Sequence, residues 1–214
     1  MLDGLFASWQ NIDDLLQTLS AEEWTTPTSL PGWTVHDVVA HVTGTESMLQ
    51  GVATPEADID VSTLEHVRND IGVMNEHWVR KLREVDPPAE LHQKFRSVTA
   101  ERRKALSGMP DEQWNSVTAT PAGPDTYGRF MRVRVFDCWM HELDIRDAVA
   151  RPAGNEELVC PASAQAFDEM AASMGFVVGK RGGAPDGSRV SIELTGPLHR
   201  IINVSVEGRG AASC

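Results

Sequence analysis

The chain has 214 residues, enough for one large domain or one domain with a small appendage, and enough to bury a substantial core. Its formal charge of −12 at pH 7 argues against non-specific binding to nucleic acid or to anionic membrane surfaces, and no basic run exceeds Lys180-Arg181. No apolar stretch reaches the length needed to span a bilayer, the opening MLDGLFASWQNIDDLL carries acids where a signal peptide has a basic leader, and the scattered Cys138, Cys160 and Cys214 form neither a CxxC pair nor a disulfide framework, so a reducing, cytoplasmic setting is expected.

The spacing of Leu5, Trp9, Ile12, Leu16 and Leu19 predicts a first helix over about 2–19. Ser20-Ala21-Glu22-Glu23 reads as a capping box that opens a short turn ending near Trp24. TTPTSLPGW is a loop by its Pro, Gly and Thr content. Thr34, with Asp37 three residues on, then caps a helix over about 35–51, with Val38, His41, Val42, Thr45 and Met48 near one face. A polar stretch leads to a third helix near 62–85, closed by Pro87-Pro88, and a fourth spans about 88–107, ended by Gly108 and Pro110. AEEW at 21–24 is echoed by DEQW at 111–114, and each leads through a Pro-rich loop into a long helix, the second at about 126–150. The echo suggests two related helical hairpins. After Pro152 a helix is expected at 161–178, then a Gly-rich loop, then two alternating runs at 190–194 and 202–206 that predict a β-hairpin. The fold expected is mainly α, a four-helix bundle with extra helices over 1–150 and a small C-terminal α/β segment over 151–214.

Three residues stand out for chemistry. Asp137 and His141 are four apart in VRVFDCWMHELDIRDAVA and so share one helical face, where a carboxylate and an imidazole offer two corners of a metal site. His41, on another helix, is available as a third ligand, and three N/O ligands with an open position describe a catalytic zinc site. Each has a simpler reading. A lone helical His is more often a core residue, and an ion pair with Arg134 or Arg132 satisfies Asp137 equally well. HELD at 141–144 is not HExxH, no paired Glu-x-x-His occurs, and Walker A, GxGxxG and GxSxG patterns are absent. Cys138 reads as a small core hydrophobe.

The segments LSAEEWTTPTSLPGWTVHDVVAHVTGTE and VFDCWMHELDIRDA together resemble the mycothiol-dependent maleylpyruvate isomerase family of the DinB-like superfamily, over roughly residues 1–150. The resemblance implies a DinB-like bundle holding a divalent metal, usually Zn2+, on His41, Asp137 and His141. It implies mycothiol as thiol cosubstrate, a small electrophilic substrate, and an actinobacterial source. The family's isomerase has Glu where this chain has Asp137, which bears on the reaction more than on the metal. The expected activity is that of a metal-dependent thiol S-transferase or isomerase. A hydrolase with metal-activated water and a non-catalytic binding bundle are the alternatives. Glu46 and Asp144 are candidates to orient an imidazole or carry a proton. Trp33, Trp78 and Trp139 are candidates to line a substrate pocket, and Arg80, Arg129 and Arg132 to meet a carboxylate of thiol or substrate.

Overall fold

The computed structural model describes residues 1–121, 123–208 and 211–213; Cys214 lies outside the described residues. Helix α1 (Leu2–Leu16) buries Leu5, Trp9, Ile12 and Leu16 on one face, as their spacing requires. It stops short of residue 19 because the amides of Thr18 and Leu19 take carbonyls three residues back, and the Thr18 hydroxyl also donates to the Leu15 carbonyl. Ser20 caps the one-turn helix α2 (Ala21–Trp24): the Glu23 amide donates to Ser20 Oγ and the Ser20 amide donates to the Glu23 carboxylate. At the start of α3 (Val35–Met48), the Thr34 amide and hydroxyl both donate to Asp37 Oδ2 at 2.8 Å.

The helix expected at 62–85 divides in two. Asp60 accepts from the Ser62 amide and starts a single 3-10 turn (Val61–Thr63), and α4 (Asp70–Val85) begins only where the Asn69 side chain accepts from the Gly72 amide. Two competent caps in one polar stretch make two separate starts. Helix α5 (Pro88–Ser107) opens on proline, whose missing N–H costs nothing there, and meets the expected bounds.

Helix α6 (Asp111–Trp114) repeats the form of α2, but the chain beyond it is not a loop. Strands β1 (Val117–Thr120) and β2 (Gly123–Thr126) pair antiparallel, Thr120 opposite Gly123, which sits at φ +102°. Val117-Thr118-Ala119-Thr120 alternates for only four residues and Gly123-Pro124-Asp125-Thr126 not at all, so periodicity is too short to mark a hairpin that rests on its turn. Thr126 Oγ1 then accepts the Arg129 amide and caps α7 (Tyr127–Ala148).

After α8 (Asn155–Leu158), α9 (Pro161–Phe176) runs into a π-turn (Val177–Arg181). The expected C-terminal hairpin is β3 (Arg189–Leu194) with β4 (Arg200–Ser205), Val190 facing Val204 and Ile192 facing Ile202, and β5 (Ala211–Ser213) adds a third strand on the free edge of β4. Ile202 and Val204 are buried with Ala171 and against Met170 and Met174 of α9, which supplies the apolar support a small sheet needs.

Helices α1, α5, α3 and α7 pack in a closed ring, each on the next, and form a four-helix bundle flanked by α4 on α3 and by α9 on α1 and α7. Every residue of α3 from Val35 to Glu46 is buried, so this helix runs through the core instead of lying on it. Helix α4 approaches α3 closely because Gly44 has no side chain: a Cβ there would lie 2.5 Å from Trp78 Cβ. His41 therefore sits on a helix in the core, and Asp137 and His141 sit on α7, its neighbour in the bundle. Among the described residues, no helix is long and apolar enough to cross a membrane.

Candidate metal centre

Packing of α3 against α7 brings His41 beside Asp137 and His141. One nitrogen or oxygen from each lies within 4.8 Å of the others, and among the described residues this is the one such group of three His, Cys, Asp or Glu side chains. His41 Nε2 is 3.3 Å from Asp137 Oδ2 and His141 Nε2 is 3.7 Å from Asp137 Oδ1. Ligands about 2.1 Å from a tetrahedral ion sit about 3.4 Å apart, close to both of these distances, so the donor set is compatible with a zinc-sized ion.

The surroundings prepare all three. Asp144 Oδ2 lies 3.0 Å from His141 Nδ1; a carboxylate only accepts, so Nδ1 carries the proton and Nε2 keeps its lone pair toward the site. Burial lowers the pKa of His41 against the opposing pull of Asp137, which keeps its ring neutral, and its Nδ1 is buried without a partner. For Asp137 burial acts upward, but Arg134, His141 and His41 outweigh it and hold the carboxyl well below its usual range.

Behind the ligands lies a buried ionic cluster. Arg134 touches Asp137 Oδ2 through Nη1 and donates Nε and Nη2 to Glu46 Oε1 at 3.0 and 2.9 Å. Arg102 Nε donates to Glu46 Oε2 at 2.9 Å. Burial opposes the charge on Arg134, while Cys138, Asp137 and Glu46 together raise its pKa above the ordinary value. Cys138 is fully buried, its thiol pushed up to about 12 by burial, and so is a core residue.

A cleft of about 270 Å3 opens onto His41, Asp137 and His141. Leu30, Pro31 and Trp33 form its apolar side, and His66 and Asn75 its polar side. The Trp33 ring lies 5.3 Å from His41 and 6.4 Å from His141, centre to centre. A larger hollow of about 640 Å3, lined by Trp24, His36, Arg83 and Asp86 among others, touches none of the ligands, and its charges are spent on Arg83–Asp37 and Lys94–Asp86 pairs.

The remaining residues singled out by sequence divide. Asp144 touches an imidazole; Glu46 instead neutralises Arg102 and Arg134. Arg134, not Arg132, is the arginine beside Asp137. Trp33 walls the cleft, whereas Trp78 packs on Gly44 and Trp139 on Phe167. Arg80, Arg129 and Arg132 do not line the cleft: Arg80 lies 3.6 Å from Glu76, and Arg129 grips Glu169 with both terminal nitrogens. Sequence reasoning missed His66, Asn75 and Glu76. His66 falls in an irregular stretch, and only folding brings it to Glu76, so no spacing rule marks it.

The chain matches the family model of the mycothiol maleylpyruvate isomerase N-terminal domain over residues 5–146. An uncharacterized protein of Mycobacterium tuberculosis, found in two strains, is 28% identical over 151 residues, or 70% of this chain. The chain spans 57% of the length of these curated relatives. The crystal structure of the mycothiol-dependent maleylpyruvate isomerase superposes with a TM-score of 0.61 at 17% identity, over 88% of this chain and 73% of that one. A mutant of that enzyme with a histidine replaced by alanine gives 0.59 at 16% identity, over the same shares of the two chains. These two likenesses show the fold, which is that of the DinB-like isomerase, and the family match places the sequence: the chain belongs to the mycothiol maleylpyruvate isomerase N-terminal domain family.

Proposed function

We propose that this protein is a metal-dependent enzyme that uses mycothiol on a small electrophilic substrate, as a thiol S-transferase or isomerase, with zinc the first candidate ion. The observation that carries the reading is the convergence of His41, Asp137 and His141, with His141 already oriented by Asp144. Family membership and the fold support the thiol. Bound to these residues, a divalent ion would favour the thiolate form of mycothiol, the nucleophilic form.

The chain's own side chains set the rest. Burial keeps His41 neutral, and its Nε2, which meets Asp137 Oδ2, would give up its proton to hold an ion. Arg134 holds Asp137 ionised and occupies Oδ2, which leaves Oδ1 facing His141. Trp33, Leu30 and Pro31 exclude water from one side of the cleft, where an apolar electrophile would rest. Charge balance also points to an anionic fourth ligand. Glu46 and Asp137 are offset by Arg102 and Arg134, and Asp144 is left over. A dication makes the site positive by one charge, and a thiolate cancels it where unbalanced charge is costly. In this reading residues 1–150 are the metal-binding unit and 151–214 an appended segment, a division supported by the family match over 5–146. The activity is placed in the cytoplasm, where small thiols stay reduced.

Elemental analysis of purified protein, beside assay with monochlorobimane with and without mycothiol, tests the proposal. One equivalent of a divalent metal and thiol-dependent conjugation are expected. Turnover indifferent to thiol would favour metal-activated water and hydrolysis. A full metal site inert with every thiol would mark a binding bundle. If no divalent metal copurifies, and His41→Ala changes neither metal content nor Tm, the site is lost.

A further inference from the structure

A thiol that reacts as a thiolate releases a proton, and the three ligand residues have no group free to take it. His41 and His141 each turn Nε2 to Asp137; the other nitrogen of His141 is committed to Asp144, and that of His41 is sealed in the core. Asn75 does not titrate. The remaining polar residue on the cleft is His66, carried between the 3-10 turn and α4. Its Nε2 lies 2.7 Å from Oε1 of Glu76, a carboxylate only 3% exposed, which also accepts the Trp33 indole N–H at 2.5 Å. Arg80 Nε stands 3.6 Å from the other Glu76 oxygen. Because the carboxylate only accepts, Nε2 of His66 carries the proton and Nδ1 presents a lone pair. The ring is 25% exposed and lines the cleft. Gly32, whose φ of +80° in the Pro-Gly-Trp turn favours glycine, lies beside the ring, with its Cβ position at ordinary contact distance, 3.4 Å from His66 Cε1.

Resting on the thiol-transfer reading above, we infer that His66, oriented by Glu76, is the base that takes the thiol proton and the acid that delivers it to the substrate. The S–H bond breaks, its proton passes to His66 Nδ1, and its electron pair stays on sulfur. The thiolate forms a C–S bond to a carbon of a double bond conjugated to a carbonyl, and the π pair moves toward that carbonyl. The imidazolium at His66 returns the proton to the resulting enolate carbon. Thiol and substrate are thereby joined with no net proton, oxidant or reductant required, and reversal after bond rotation yields an isomer. Glu76 acts through His66 and Trp33 and is a positioning residue. A His held by a buried carboxylate is the arrangement other enzymes use to fix tautomer and basicity.

The test uses the full chain, metal-loaded, with mycothiol and an α,β-unsaturated carbonyl acceptor such as N-ethylmaleimide. His66→Gln is expected to keep full metal content and to leave KM for mycothiol within twofold, while kcat falls about 10²–10⁴-fold, the usual range for a lost acid–base group. NMR of the imidazoles, independent of turnover, is expected to show His66 protonated at Nε2, with that preference lost in Glu76→Gln; Glu76 is the group bonded to the ring, Arg80 stands by its other oxygen, and His41, Asp137 and His141 line the same cleft. Trp33→Phe, which removes one donor to Glu76 and keeps an aromatic wall, covers the case in which Glu76→Gln does not fold, and is expected to strengthen the Glu76–His66 hydrogen bond, read as a downfield shift of the Nε2–H proton. An active, fully metallated His66→Gln with unchanged kcat overturns the role of His66 and leaves the thiol-transfer reading intact. A proton on His66 Nδ1 overturns it as well. A wild-type protein without thiol-dependent turnover defeats that reading itself, and the inference with it.

Discussion

Replacing Glu46 by Gln tests whether the ionic cluster behind the ligands holds α3, α5 and α7 together. Glu46 is fully buried, and its partners Arg102 and Arg134 are 2% and 3% exposed. Gln keeps the shape and one acceptor oxygen but removes the charge, leaving two guanidiniums in the core with Asp137 as their nearest carboxylate. Stripping one partner from a buried ion pair costs about 3–5 kcal/mol, because the remaining charge keeps its desolvation penalty. For a chain of this length, with an unfolding entropy of about 2 cal/mol/K per residue, that is a fall in Tm of about 7–11 °C. Arg134, released from Glu46, grips Asp137 more fully, so metal affinity also falls. Thermal unfolding followed by circular dichroism, on metal-free and metal-loaded protein, reads both effects. If uncompensated charge is the cause, adding Arg102→Met to Glu46→Gln costs less than the two changes summed, since one guanidinium no longer needs a partner. A Glu46→Gln protein melting within about 2 °C of wild type would refute the reasoning, because that corresponds to roughly 1 kcal/mol or less.

Asp144→Asn removes the charge that fixes His141 Nδ1, and metal affinity is expected to drop about 10–100-fold in competition with a chromophoric chelator. The pKa of His41 is depressed in the folded state from 6.5, so its contribution to stability is present above that pH and is lost as pH falls below it; the Tm of chelator-treated protein should decline from about pH 7 toward 5, and an unchanged slope in His41→Gln would count against this cause. Gly44→Ala drives a methyl into Trp78 and should cost about 1–3 kcal/mol by urea denaturation through separation of α3 from α4. Ala150, just past α7, sits at φ +53°, where an L side chain is strained by about 1 kcal/mol; Ala150→Gly should raise Tm by about 2 °C.

Much of the bundle was legible because its helices announce themselves locally. The seam Leu5-Trp9-Ile12-Leu16 and the caps at Ser20 and Thr34 depend on neighbours within four residues, and they appear as read. The stretch at 62–85 misled for the same reason: periodicity cannot say which of two caps starts the helix, and Asn69 does. The hairpin of β1 and β2 left only the four residues of Val117–Thr120 in alternation, too short a signal, and none in β2. At the site, the i, i+4 relation of Asp137 and His141 was visible as sequence, and so was the proximity of Asp144 to His141.

What the sequence determined by itself is therefore the set of local relations: helix faces, caps, and the pair of potential ligands on one face of α7. Only the tertiary structure decided the rest. It chose Arg134 over Arg132 as the neighbour of Asp137, turned Glu46 from an imidazole partner into the counter-charge of two arginines, and brought His66 and Glu76 to the cleft. Those outcomes depend on which buried charges meet across helices far apart in the chain, and the cost of leaving a charge unpaired is set by burial, which no local pattern contains.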